Sequence, residues 1–146
     1  MKSPLSAAAL FAVALAAPLS TLADDQDTAE YRGHIMSSMG ELMGALGMIV
    51  KNRAPADNFA IHAQTLAIVA ATAKKSFEPK APGGNSKPEV WSQWTDFAKQ
   101  MDALVASTQD LAKAAKDGGA TAAAPKLEAT AALCKGCHDT YMVPKK

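Results

Sequence analysis

Residues 134–138 read Cys-Lys-Gly-Cys-His, inside the C-terminal stretch Leu133-Cys134-Lys135-Gly136-Cys137-His138-Asp139-Thr140-Tyr141. This stretch belongs to a segment expected to be helical until Pro144 stops it. On a helix Cys134, Cys137 and His138 stand at i, i+3 and i+4, so both sulfurs and the imidazole emerge from one face. Cys-x-x-Cys-His is the attachment motif of haem c, in which two thiols add across vinyl groups as thioethers and the imidazole binds iron. Other uses of the pair fit less well. A thioredoxin-like redox pair needs a βαβ setting. A structural zinc site needs four ligands in closed geometry, and only His34 and His62 are left to help. A disulfide between residues three apart closes almost no loop and stabilises little.

Outward from this helix, the rest of the chain is expected to be helical too. The 146 residues are 49% hydrophobic but only 5% aromatic, so the apolar content is carried by alanine, leucine, methionine and valine rather than by strand-forming residues. Lys and Arg number 15 against 14 Asp and Glu, a net +1 that offers neither a nucleic-acid footprint nor an acidic tail. Lys2, the apolar run from Ala7 to Ala17 and the small residues up to Ala23 read as a secretory signal peptide cut after Ala23. That apolar run is well short of the ~20 residues a membrane span requires. The expected product is residues 24–146, one domain without a membrane span, exported to the periplasm, where the compartment is oxidising.

Four helices are expected in that product. Met36, Met39, Met43, Leu46 and Val50 recur at three- and four-residue spacing from Thr28 to about Lys51, with Ile35, Leu42 and Ile49 widening the stripe. Gly33, Gly40, Gly44 and Gly47 weaken this helix by roughly 1 kcal/mol each relative to Ala, a cost that makes sense where something bulky approaches the backbone. Asp57 is the expected N-cap of a second helix carrying Phe59, Ile61, Leu66, Val69 and Ala73 and ending near Phe77. Residues 78–88, with three prolines and two glycines, are the longest irregular segment. Pro88 suits the first turn of the third helix, which buries Phe97, Met101, Leu104 and Leu111 and stops at Asp117-Gly118-Gly119. The fourth begins between Thr121 and Pro125. Amphipathic helices with mostly short connections predict an all-α, antiparallel up-down-up-down four-helix bundle. A core so rich in alanine buries little area per side chain, which leaves room for a cofactor at its centre.

A Cys-x-x-Cys-His motif at the end of a four-helix chain resembles the class II c-type cytochromes, the cytochrome c prime family. The likeness extends to Tyr31-Arg32 in the first helix, Met48-Ile49-Val50-Lys51 near its end, Ser86-Lys87-Pro88-Glu89-Val90-Trp91 opening the third and Cys134 through Tyr141 in the fourth. The resemblance implies one haem c, bound through Cys134 and Cys137, lying between the helices and exposed at an edge. It implies His138 as the axial iron ligand, Arg32 as the partner of a haem propionate, and Met36 as the residue facing the other side of the iron. A methionine there either bonds the iron, as in low-spin members, or packs over an iron left five-coordinate; the competing use of Met36 is as ordinary core. One departure stands out, because Tyr141 is followed by Met142 where the family commonly places a basic residue. Trp91 and Trp94 are expected at core and rim, and His34 and His62 on the surface.

The functional expectation is a periplasmic electron carrier, not an enzyme, with His138 and Met36 as axial ligands and redox partner proteins docking at the exposed haem edge. The alternative is a high-spin, five-coordinate member that binds nitric oxide or carbon monoxide. No nucleic-acid partner is expected, and the assembly is a monomer or a homodimer.

Overall fold

The computed structural model describes residues 24–144; the leader expected at 1–23 and the terminal Lys145-Lys146 lie outside the described residues. Helix α1 spans Asp25–Val50 and starts three residues earlier than its apolar stripe suggests. Its N-cap explains the difference: the Asp24 carboxylate accepts a hydrogen bond from the Asp27 amide at 2.8 Å, satisfying one of the amides that the first turn leaves unpaired. Asp25 and Asp27 add negative charge where the helix dipole favours it. Helix α2 runs Phe59–Ala73, flanked by single 3-10 turns at Ala56–Asn58 and Lys74–Phe77. Asp57 lies in the first of those turns and does not cap α2.

The third helix is interrupted near its start. A single turn, α3, covers Glu89–Ser92, Gln93 departs from helical geometry (φ −116°, ψ 38°), and the long helix α4 follows over Trp94–Tyr141. Helix α4 is two antiparallel arms, 94–117 and 120–141, joined at Gly118 (φ −147°, ψ 15°) and Gly119 (φ 66°, ψ −162°). Both glycines are needed there. A Cβ on Gly118 would lie 2.6 Å from the Ala122 Cβ, and Gly119 occupies backbone space that only glycine enters easily. Gly119→Ala is therefore expected to cost about 1–3 kcal/mol, read as a lower urea midpoint at unchanged slope.

The helices α1, α2 and the two arms of α4 form an antiparallel four-helix bundle. Among the described residues no helix is long and apolar enough to cross a membrane. The core is Phe59, Leu46, Leu66 and Leu111 with Met39, Ile49, Phe97, Met101, Leu127 and several alanines. Ser107 on the first arm of α4 and Thr130 on the second hydrogen-bond at 2.8 Å, and the Thr130 hydroxyl also donates to the Lys126 carbonyl. That polar pair fixes the register of the arms without leaving a buried hydroxyl unpaired.

Two faces differ from the periodicity. On α1 the fully buried line is Arg32, Met39, Leu46 and Ile49, while Met36, Met43 and Val50 lie half-buried at its margin. On α2 the core face is Phe59, Ala63, Leu66, Ala70 and Ala73, and Ile61 is 67% exposed although its hydrophobicity placed it inside. Small side chains on the inner face let α2 approach its neighbours closely, and that contact outweighs the greater hydrophobicity of a single isoleucine.

Candidate functional site

The residues of the Cys-x-x-Cys-His motif occupy the last turns of α4. Cys134 and Cys137 form no disulfide with each other, and both are half-buried and packed against the core. Burial pushes both thiols up, Cys137 to about 11. His138 is exposed, and one turn beyond Cys137 the buried Tyr141 ring turns back into the core. Among the described residues no three His, Cys, Asp or Glu side chains are grouped to hold a metal ion between them, so the closed site that structural zinc requires does not form around the thiols.

Arg32 is the most informative side chain on the opposite helix. It is 2% exposed, yet among the described residues no carboxylate pairs with it. Its Nη2 donates to the Ala81 carbonyl at 2.7 Å and, more weakly, to Gly83 at 3.5 Å. Its guanidinium carbon lies 5.5 Å from the Phe77 ring centroid and 5.2 Å from that of Trp91, so two aromatic faces share the charge. Desolvation lowers its pKa, only partly offset by the distant charge of Asp25. Nε and Nη1 are buried with no hydrogen-bond partner. An unpaired buried donor costs about 1–3 kcal/mol, more on a charged group. Such a fork is matched by a carboxylate that meets both donors.

An aromatic cluster joins this arginine to the motif. Phe77 packs on Phe97 with centroids 4.9 Å apart, Phe97 meets Tyr141 edge-on at 5.2 Å, and Trp94 lies 5.6 Å from Phe97. The Trp91 indole donates to the Phe77 carbonyl at 2.9 Å, which fixes the ring over Arg32. Both tryptophans are half-buried, as core and rim residues should be. Five of the aromatic residues, Phe77, Trp91, Trp94, Phe97 and Tyr141, thus form a chain of contacts from Arg32 to the helix turn that follows Cys137. Sequence reading missed Phe77 as a site residue, since a lone Phe at a helix end carries no motif.

Met36 lies one turn beyond Arg32 on α1, half-buried against the core. Gly40 and Gly47 follow Met36 and Met43 by four residues each, so the glycines run along the same flank. A Cβ at Gly33, Gly40, Gly44 or Gly47 would meet nothing within 4 Å. Close approach to a neighbouring helix is therefore not what these glycines provide. His34 is a surface residue 3.5 Å from the Glu30 carboxylate.

The model of the family described as Cytochrome C' matches residues 27–142. The chain belongs to the cytochrome c' family. It is 30% identical over 125 residues to cytochrome c' of Alcaligenes xylosoxydans xylosoxydans, covering 84% of this chain and 98% of that protein. Among solved structures it resembles a ferrous variant of cytochrome c prime from Alcaligenes xylosoxidans with bound NO, with a TM-score of 0.79 and 28% identity over 85% of this chain and 99% of the other. A carbon monoxide complex of another variant of that protein matches with a TM-score of 0.78 and 27% identity, over 84% of this chain and 98% of the other.

As a member of the cytochrome c' family the chain carries one covalently bound haem c. Its residues fit that group: two unpaired cysteines on one helix face, an imidazole four residues beyond the first, and a buried guanidinium with two donors left for a carboxylate.

Proposed function

We propose that this haem protein captures a small diatomic ligand, nitric oxide or carbon monoxide, in the periplasm, after export by the leader at 1–23. The observation that carries the proposal is its likeness, over 84–85% of its length, to solved structures that hold NO and CO. Cys134 and Cys137 form the thioethers, His138 binds the iron, and the Arg32 Nε and Nη1 donate to a propionate. When bound, the haem supplies an iron with one coordination position open to a diatomic ligand. Met36 is the α1 side chain that would face that position. The residues that follow it on the same flank, Met39, Gly40 and Met43, carry no side-chain hydrogen-bond donor, and the Arg32 donors one turn earlier would be taken by the propionate. A position without a free donor suits weakly polar NO and CO better than dioxygen, which needs a donor to stabilise the charge it acquires.

A second reading rests on the chemistry of Met36 itself, since a thioether can bond iron and make the protein a low-spin electron carrier that docks redox partners at an exposed haem edge. Absorption spectra of the wild-type protein and Met36→Ala separate the two. Capture predicts high-spin ferric and ferrous spectra, a large change on adding CO, an unchanged spin state in Met36→Ala, and CO binding about tenfold faster, a barrier lower by ~1.4 kcal/mol. A low-spin wild type that turns high-spin in Met36→Ala would overturn capture in favour of electron transfer.

A further inference from the structure

The segment 81–88, irregular by sequence, grips both halves of the site. At one end its Ala81 and Gly83 carbonyls accept from Arg32. At the other end it runs antiparallel to the final turn of α4. The Val143 amide donates to Asn85 at 2.9 Å, the Lys87 amide donates to the Tyr141 carbonyl at 2.9 Å, and Ser86 pairs with Met142. The Lys87 ammonium donates to the Asp139 and Thr140 carbonyls at 3.2 and 3.1 Å.

These contacts account for the whole end of the helix. An α-helix leaves its last four carbonyls without intrahelical partners. Here His138 O accepts from the Met142 amide, and the carbonyls of Asp139, Thr140 and Tyr141 all accept from Lys87. One residue from a loop 52 positions away thus satisfies three of the four carbonyls in the turn that begins at His138. The Asp139 side chain is turned to Lys135, so it does not neutralise the Lys87 ammonium by direct pairing. The cation also lies where a helix C-terminus favours positive charge.

We propose that Lys87 is a positioning residue for the iron ligand: it terminates α4 so that the turn bearing His138 is held in one orientation, and its ammonium places a positive charge at that helix end. This inference rests on His138 binding the iron, as set out above. A cation near the ligand disfavours the more positive ferric state, so the same residue raises the reduction potential.

The test compares holoprotein carrying Lys87→Met, Lys87→Gln and Lys87→Arg with wild type. Three quantities are read: midpoint potential, the iron–imidazole stretching band of the ferrous protein, and amide exchange at Met142. Lys87→Met should lower the potential, shift or broaden the band and lose amide protection, while Lys87→Arg should stay close to wild type. Lys87→Gln, which keeps a donor but no charge, should lower the potential with a smaller change in the band. If Lys87→Met yields no holoprotein, Lys87→Gln decides by the potential. A wild-type potential and band in a neutral variant that folds and carries haem would overturn the proposal. Absence of the iron–imidazole band from a wild-type protein that is high-spin and five-coordinate is a different failure, because it removes His138 as ligand and this inference with it; in a low-spin wild type, where no such band exists, the potential and the Met142 amide decide.

Discussion

Arg32→Met is expected to lower the stability of the haem-bound protein by about 3–5 kcal/mol, the range for removing one partner of a buried, hydrogen-bonded charge pair. Two contributions combine. The variant loses the bond to Ala81 and the stacking between Phe77 and Trp91, and, on the role proposed for Arg32, it leaves a haem propionate without the fork that meets it. Methionine is close to arginine in length and apolar, so the result isolates the guanidinium rather than a cavity. Arg32→Lys keeps the charge but cannot present two parallel donors or stack as a plane, and it should recover only part of the loss. The measurement is a denaturant midpoint at constant slope on holoprotein. A change below about 1 kcal/mol, the range of an exposed ion pair, would show that Nε and Nη1 have no anionic partner.

Phe97→Ala is expected to destabilise by about 3–5 kcal/mol, as large-to-small changes of buried aromatic side chains do. Phe97 is 2% exposed and is the one ring that touches Phe77, Trp94 and Tyr141 together. Its removal takes away three aromatic contacts, each worth about 0.5–1.5 kcal/mol beyond buried area. Because Phe77 holds Arg32 from one side and Tyr141 follows Cys137 by one turn, the cavity separates the two halves of the site. The expected result is therefore a fall in Tm together with a shifted haem absorption maximum. A loss of stability with an unchanged spectrum would mean that the cluster is core and does not support the site.

The end of α4 shows how a charge can reach a site from a segment distant in sequence. Met142 supplies no cation, and the residues beyond Pro144 are lysines outside the described chain. Lys87 brings an ammonium to the same helix end from a loop distant in sequence. A scan along the fourth helix alone sees the missing charge but not its replacement.

Much of the protein was legible in its residues. The i, i+3, i+4 spacing of Cys134, Cys137 and His138 follows from helical geometry, and the Asp117-Gly118-Gly119 stop and the approximate helix ends follow from turn chemistry that acts within a few residues. The haem-binding motif and the all-α class needed no coordinates. Less legible were features that depend on what a residue meets across space. Asp57 was a reasonable cap by type, but the 3-10 turn at Ala56–Asn58 displaced it. Ile61 was a reasonable core residue by hydrophobicity, but the inner face of α2 is lined with alanine.

The sequence by itself determined the helices, the motif and the family likeness, because each depends on backbone propensity and side-chain spacing over one or two turns. Only the tertiary structure decided that Arg32 is buried with two unpaired donors, that Phe77 and Phe97 connect it to Tyr141, and that Lys87 closes the end of α4. Those facts arise from packing between segments about 20 to 50 residues apart, where burial and the need to satisfy every polar group select partners that no local pattern names.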